Sequence, residues 1–255
     1  MIYRRSLLSW MGVSVAGALD PLSAANYGQP PQGTGVVALE SFCVADAEQM
    51  SRCHAYIGRA LLPLLNEIHN RAGICLDAVV APHTPQALLL SAYSSFDEML
   101  DVRGRIASHP SIRQARAALE STRTLSEVRS EVLIVTEECP QFPAAFDGVQ
   151  TGVFELRSYH APAWHDGPPS SVSSLFSRAG IHPIVNAATA AGEHLPRFTY
   201  LIPFEDLAAR HEAWSRIDAD PEWIDMQRES VARHGSAARV TGKSIYTLAP
   251  YSQLA

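Results

Sequence analysis

The most constraining feature of this chain is that four short patterns occur twice, in the same order. The clearest pair is GVVALESF at residues 35–42 and GVFELRSY at residues 152–159. The other pairs are residues 71–74 and 178–181, 96–98 and 204–206, and 108–110 and 219–221. A period of about a hundred residues predicts two similar domains rather than a solenoid of short repeats.

The first 25 residues are typical of an export signal. Arg4 and Arg5 precede an apolar run at residues 7–19, and small residues follow at Ser23 and Ala25 for signal-peptidase cleavage. A membrane-spanning helix needs about 20 apolar residues, and this run is shorter. We therefore expect residues 1–25 to be removed, leaving an exported, periplasmic protein with no stable membrane span. The paired arginines favour the twin-arginine route, and an ordinary Sec signal is the alternative.

Composition indicates a folded chain and excludes one class of partner. Apolar residues make up 47% of the sequence and charged residues 18%, which allows two hydrophobic cores. The net charge is −6 and no Lys/Arg-rich run is present, so we expect no nucleic-acid partner. The four cysteines are Cys43, Cys53, Cys75 and Cys139, all in the first half and none in a CxxC motif. We interpret them as small buried side chains, with their pairing left open.

Hydrophobic periodicity predicts the same β-α-β-β-α-β order in each half. The predicted organisation is a flexible lead-in at 26–35, a first half at 36–138, a linker at 139–151 and a second half at 152–255. Pro63 should divide the first helix, and the corresponding helix of the second half, at 170–179, is shorter. Such a unit is a ferredoxin-like antiparallel sheet with both helices on one face. Two uncovered faces would then meet, giving an α+β fold in which tandem halves form an intramolecular dimeric barrel.

Strand alternation identifies candidate residues for the shared interior. If the more apolar face of each first strand packs on the helices, Glu155, Arg157 and Tyr159 point inward in the second half. By the same rule Glu40 points inward in the first half. On the neighbouring strand of the second half, Arg197 and Thr199 also point inward.

These side chains allow two interpretations. Glu40 and Arg157 occupy equivalent positions and could form an ion pair that closes the interior, since buried charges require compensation. Alternatively, Arg157, Arg197 and Tyr159 line a pocket for a small anionic ligand, because guanidinium groups match carboxylate geometry. The candidate pocket comprises Glu40, Glu155, Arg157, Tyr159, Arg197 and Thr199.

The segment from His160 to Asp166 concentrates two histidines, a tryptophan and an aspartate. It contains no HExxH or other metal-binding spacing, so a surface loop is the favoured interpretation. We expect no metal and no cofactor. A haem or metal carrier that uses His160 or His165 is the alternative.

Several motifs of the second half resemble the NIPSNAP family. They are VFELRSY at 153–159, LPRFTYL at 195–201, FEDLAAR at 204–210, Trp214, DPEW at 220–223 and APYS at 249–252. The first half resembles a fainter copy, with His109-Pro-Ser in place of DPEW. The resemblance implies the dimeric α+β barrel and supplies no established catalytic residues.

Two functional hypotheses follow. The leading one is a binding or interaction protein for a small ligand or another protein, with homo-oligomerisation open. The rival is a cofactor-free enzyme, monooxygenase- or isomerase-like, acting on a small anionic aromatic substrate inside the barrel. In that case Arg157 and Arg197 orient the anion, Tyr159 donates a hydrogen bond, and Glu155 or Glu40 is the general base.

Overall fold

The computed structural model describes residues 35–69, 73–135, 152–160, 170–193, 195–235 and 237–252. The predicted signal at 1–25, nearly all of the predicted lead-in and the linker at 139–151 lie outside the described residues. So do Cys139, His165 and Asp166. In the ranges just given, no helix is both long enough and apolar enough to cross a membrane.

The first half contains four strands and four helices, with a π-helical turn between the first two helices. In chain order these are β1 (Val36–Cys43), α1 (Ala47–Tyr56), the π turn (Ile57–Leu61), α2 (Leu62–Ile68), β2 (Ile74–Val80), β3 (Gln86–Tyr93), α3 (Phe96–Ser108), α4 (Pro110–Ser121) and β4 (Glu127–Val135). The first helix is divided as predicted. Pro63, which has no backbone N–H, lies in the first turn of α2, directly after the π turn.

The second half repeats the order with a single short helix after its first strand. Its elements are β5 (Val153–His160), α5 (Ser170–Ala179), β6 (Val185–Ala191), β7 (Arg197–Phe204), α6 (Leu207–Ala219), α7 (Pro221–His234) and β8 (Arg239–Leu248). Asp220 both ends α6 and caps α7, where its carboxylate accepts from the Glu222 amide. The same break separates α3 from α4 at His109, because a proline follows in each case and begins a new helix.

The eight strands form one closed antiparallel barrel in the order β1-β3-β2-β8-β5-β7-β6-β4. Within the first half the order is β4-β1-β3-β2, and within the second it is β8-β5-β7-β6. The halves join where β2 pairs with β8 and where β4 pairs with β6. Closure leaves no sheet edge exposed. The predicted α+β class and the barrel are therefore confirmed.

Two of the four repeated sequence patterns do not occupy equivalent positions in the two halves of the structure. Ile74 is the first residue of β2, whereas Ile181 precedes β6, which begins at Val185. Phe96 begins α3, whereas Phe204 ends β7. Extra residues after Gly180, which ends α5 with a φ of 78°, account for the first shift. Strand pairing, rather than sequence likeness, is the reliable guide to equivalent positions.

Three apolar clusters build the core. One lies inside the barrel and draws on all eight strands: Val37, Leu39, Ile74, Leu76, Leu88, Leu90, Ala92, Leu133, Phe154, Val185, Ala187, Leu201 and Tyr246. The second lies between the first-half sheet and its helices, and the third between the second-half sheet and its helices. Cys43, Cys53 and Cys75 are buried with free thiols, as expected from their small apolar side chains.

The predicted facing of β1 and β5 is wrong. Leu39 and Leu156 face the barrel interior, whereas Glu40, Glu155 and Arg157 face the helices. The prediction assumed that the more apolar face of each strand packs on helices. In a closed barrel the inner face is a dry core too, so it is as apolar as the face beneath the helices.

Candidate functional site

A cavity of about 210 Å³ lies between α5 and the sheet of the second half. Its apolar walls come from Val172 and Phe176 of α5 and from Ile181 and Pro183 of the following segment. Polar groups reach it from Ser173, Ser177, His182, Asn186 and Tyr200. The lining is therefore mixed, with apolar walls and hydrogen-bonding groups on several sides. Small-molecule sites also combine apolar walls with polar groups.

The cavity exists because α5 is short. In the first half α1, the π turn and α2 follow one another directly from Ala47 to Ile68 and cover the sheet. In the second half α5 has 10 residues. The loss of about three helical turns was visible in the sequence as a shortened spacing. Nothing in the sequence indicated that the uncovered space would remain a cavity.

Two aromatic rings, Phe176 and Tyr200, line the cavity and form its aromatic wall, and Tyr159 and Trp214 pack against them. Tyr200 meets Tyr159 at 5.8 Å and Phe176 at 5.5 Å between ring centroids. Phe176 also meets Trp214 at 5.7 Å, and all three contacts are edge-to-face. This geometry is the favoured one for aromatic pairs, so the wall is a pre-formed aromatic surface.

A buried charged cluster supports the wall from behind. The carboxylate of Glu155, fully buried on β5, accepts hydrogen bonds from Trp214 Nε1 at 2.6 Å and Arg210 Nη2 at 2.8 Å. Arg157 Nη1 lies 3.6 Å from the same carboxylate. The Arg157 guanidinium also lies over the Trp214 ring, with 3.5 Å between its carbon and the ring centroid. The cluster thus compensates the buried carboxylate and holds Trp214 in place.

Tyr159 belongs to this helix-facing cluster and not to the barrel interior. Burial raises the pKa of Tyr159 to about 12, although the nearby Arg157 acts in the opposite direction. Its phenol is therefore neutral across the physiological range. The predicted hydrogen-bonding capacity of Tyr159 remains, but on the other face of the sheet.

The predicted pairing of Glu40 with Arg157 is wrong. Glu40 forms its ion pair with Arg103 of α3, at 3.0 Å. Strands β1 and β5 lie on opposite sides of the barrel, with three strands between them in either direction. Glu40 therefore finds its partner on the helix above its strand, whereas Arg157 meets Glu155 of its own strand and Trp214 of α6.

Arg197 and Thr199 do face the barrel interior, as predicted. Arg197 is buried and forms an ion pair with Glu131 of β4. Thr199 exchanges a hydrogen bond with Ser158 at 3.1 Å. One end of the barrel interior is consequently polar, although sequence reasoning missed both Glu131 and Ser158. The inward position of Ser158 was hidden by the wrong facing predicted for β5.

The predicted anion pocket does not form. Arg157 and Arg197 lie on opposite faces of the sheet, so they cannot contact one small ligand together. Each guanidinium already has a carboxylate, Glu155 for Arg157 and Glu131 for Arg197. A side chain that is neutralised in this way offers little net attraction to a second anion.

Metal ligation has no support in the described part of the chain. No group of three or more His, Cys, Asp or Glu side chains there is arranged to hold a metal ion. His160 ends β5, and His165 lies outside the described residues.

A family model, NIPSNAP, matches residues 150–253. The second half of this chain belongs to the NIPSNAP family. The cavity, its aromatic wall and the Glu155 cluster all lie within this NIPSNAP half. No curated protein matches the chain.

Solved structures show the same overall fold. A variant of chlorite dismutase from Candidatus Nitrospira defluvii is 9% identical, with a TM-score of 0.50, over 86% of this chain and 93% of that chain. A haem-binding protein from Thermus thermophilus is 13% identical, also with a TM-score of 0.50, over 86% of this chain and 92% of that chain. At these identities the likeness concerns the fold alone.

The cavity does not fit a haem. Pockets for drug-sized molecules occupy roughly 300–1,000 Å³, and a haem is at least that large. The cavity beneath α5 measures about 210 Å³, and the ring of Tyr200 closes one of its walls. The fold is shared with a haem-binding protein, but the cavity beneath α5 is smaller than a haem requires.

Proposed function

We propose that the protein binds a small, neutral aromatic molecule in the cavity beneath α5. The observation that carries this proposal is a cavity of about 210 Å³ with an aromatic wall and polar groups at its sides. An apolar cavity of about 150 Å³ is enough to bind benzene. The cavity therefore has room for one ring with a small substituent, and Asn186 and Tyr200 lie where a polar substituent would meet them.

The charge distribution supports a neutral ligand over an anionic one. Among the described residues that line the cavity there is no Lys, Arg, Asp or Glu. The nearby cationic groups, Arg157 and Arg210, are held by the buried Glu155 carboxylate. An anion entering the cavity would lose its hydration without gaining a charged partner, which is costly.

The enzymatic alternative has weaker support. Its general base was to be Glu155 or Glu40, and both carboxylates are engaged by arginines on the helix side. Neither carboxylate lines the cavity, so neither is placed to take a proton from a molecule bound there. Binding without chemistry is the function that this geometry favours.

We also infer that the two halves are tandem ferredoxin-like units and that the barrel is an internal pseudo-dimer. The shared β-α-β-β-α-β order and the shared strand order within each half support this inference. Superposition of a separately solved NIPSNAP half onto the first half would test it. Different strand orders in the two would contradict it.

Export to the periplasm is proposed from the first 25 residues. The basic start, the short apolar run and the small residues before Ala25 support it. Amino-terminal sequencing of the protein from the periplasm should give a chain that begins at Asn26. An unprocessed chain in the cytoplasm would contradict the proposal. Replacing Arg4 and Arg5 by lysines should block export only if the twin-arginine route is used.

Ligand binding is tested by thermal denaturation with a panel of monocyclic aromatics. We expect toluene, p-cresol or benzamide to raise the melting temperature saturably, and benzoate to do so less. Ser173→Leu places a larger side chain in the cavity and should abolish the response. Ser174→Leu is the matched control, because Ser174 is the exposed neighbour and does not line the cavity. A response that survives Ser173→Leu, or a stronger response to benzoate, would exclude this site.

A further inference from the structure

The C-terminal segment, residues 249–252, docks on the first half of the chain. The Ala249 amide donates to the Cys75 carbonyl at 3.0 Å, and the Cys75 amide donates to Ser252 Oγ at 2.8 Å. These two bonds place Tyr251, between them in sequence, in the space between β2 and the first helical segment. The segment follows β8 of the second half but packs on the first half, where it fills the space beside β2.

The Tyr251 ring fits because position 58 has no side chain. A Cβ atom at Gly58 would lie 2.8 Å from Tyr251 Cγ, which is closer than real contacts allow. Gly58 lies in the π-helical turn, a kind of turn that is frequent at functional sites. The ring also meets the His54 ring edge-to-face, at 5.5 Å between centroids. The π-helical turn and the missing side chain at Gly58 together create a slot for the Tyr251 ring.

The phenol hydroxyl of Tyr251 contacts two polar side chains of the first half. Tyr251 Oη lies 2.7 Å from His54 Nδ1 and 3.2 Å from Cys75 Sγ. His54 Nε2 faces Asp77 Oδ1 at 3.4 Å. A proton on Nε2 leaves Nδ1 free to accept from the phenol, and the Cys75 thiol donates to its oxygen. Burial raises the pKa of Tyr251 and that of Cys75, so both groups keep their protons.

This slot corresponds to the cavity of the second half. Cys75 is paired with Leu89 in the first half, and Asn186 is paired with Tyr200 in the second. The two pairs occupy equivalent positions on β2–β3 and β6–β7. Cys75 of the first pair meets Tyr251, whereas Asn186 and Tyr200 of the second pair both line the cavity. The same space beneath the first helix is filled by Tyr251 in one half, and in the other it is a cavity between the described residues.

We propose that the first half contains a second binding site for a small phenol, which Tyr251 occupies in cis. The site comprises the ring slot at Gly58 and the hydroxyl site formed by His54 and Cys75, with Asp77 orienting His54. A free phenol enters when the segment 249–252 leaves, so the segment competes with it. Tyr251 is partly exposed, which leaves a path for this exchange.

The test removes the internal occupant and offers p-cresol, which is the tyrosine side chain as a free molecule. The variant is Tyr251→Ala in a Ser173→Leu background, where the second-half cavity is blocked. At about 100 times its Kd, p-cresol should raise the melting temperature by about 5–10 °C. Ser173→Leu alone and Ser173→Leu with Tyr251→Phe should show no shift, because the ring still fills the slot. A shift of equal size in these controls would overturn the proposal.

Hydroxyl recognition is tested separately. Toluene should bind the Tyr251→Ala variant at least about fivefold more weakly than p-cresol, since the hydroxyl makes hydrogen bonds to His54 and Cys75. Adding His54→Ala should reduce that difference, because only the contact with Cys75 remains. If Tyr251→Ala is unfolded alone, p-cresol should restore its native circular dichroism. No restoration, or equal affinity for toluene and p-cresol, would overturn the proposal while leaving the second-half cavity untouched.

Discussion

The guanidinium carbon of Arg157 lies 3.5 Å from the centroid of the Trp214 ring. In the first half the equivalent strand position is Glu40, and its partner is Arg103. Arg103 and Trp214 stand at the same distance along the chain from their helix caps, Ser95 and Asp206. The same strand–helix contact is thus an ion pair in one half and a cation–π contact in the other.

Removing the buried carboxylate of Glu155 should strongly destabilise the folded protein. Glu155→Ala leaves Arg157 and Arg210 without their partner and leaves the Trp214 N–H without its acceptor. We expect the free energy of unfolding to fall by about 3–5 kcal/mol, measured by urea denaturation. Glu40→Ala is the comparison, because that ion pair is partly exposed and should contribute about 1 kcal/mol. Equal losses from the two substitutions would contradict the difference in burial.

Glu40 and Arg157 should behave as independent residues. The losses of stability caused by Glu40→Ala and Arg157→Ala should add within about 0.5 kcal/mol in the double variant, because the two side chains share no partner. A double-mutant cycle by urea denaturation measures this. A coupling well above that value would place the two residues in contact and would contradict the barrel.

Gly58 should be sensitive to the addition of a single methyl group. Gly58→Ala brings a Cβ against the Tyr251 ring and should destabilise the protein by about 1–3 kcal/mol. Gly104→Ala, also within a helix, meets nothing within 4 Å and should stabilise by about 0.4–1 kcal/mol. Thermal melts compare the two. In a Tyr251→Ala background the penalty at Gly58 should disappear, and its persistence would show that the ring is not the cause.

The buried thiols should make stability fall at alkaline pH. Burial raises the pKa of Cys53 and of Cys75 to about 12, against about 8.5 for an unfolded cysteine. Below the unfolded value both states keep the proton, and the full stability is present. Between about pH 8.5 and 12 the unfolded state loses protons that the folded state keeps, so stability decreases with rising pH.

Urea denaturation at about pH 8, 9, 10 and 11 measures this slope. Cys53→Ala and Cys75→Ala should each make the alkaline decline shallower. In a Cys139→Ser background, the native protein should also react slowly with a thiol reagent near neutral pH and quickly once denatured. Rapid reaction of the folded protein would contradict the raised pKa values.

The order of the elements could be predicted because its signals are local. Helix caps, prolines and strand alternation act within a few residues, and they place α5 and the break at Asp220 correctly. The facing of β5 could not be predicted in the same way. Alternation shows that Glu155 and Arg157 share a face of the strand, but both faces are buried once the barrel closes.

The sequence by itself determined the two-part α+β organisation, the NIPSNAP motifs and the shortness of α5. Only the tertiary structure decided which of two equivalent spaces is filled. Tyr251 and His54 are 197 residues apart in sequence and meet because β8 pairs with β2 across the barrel. Local patterns specify elements, whereas contacts between distant strands depend on closure of the whole sheet. That closure brings Tyr251 into the space of the first half.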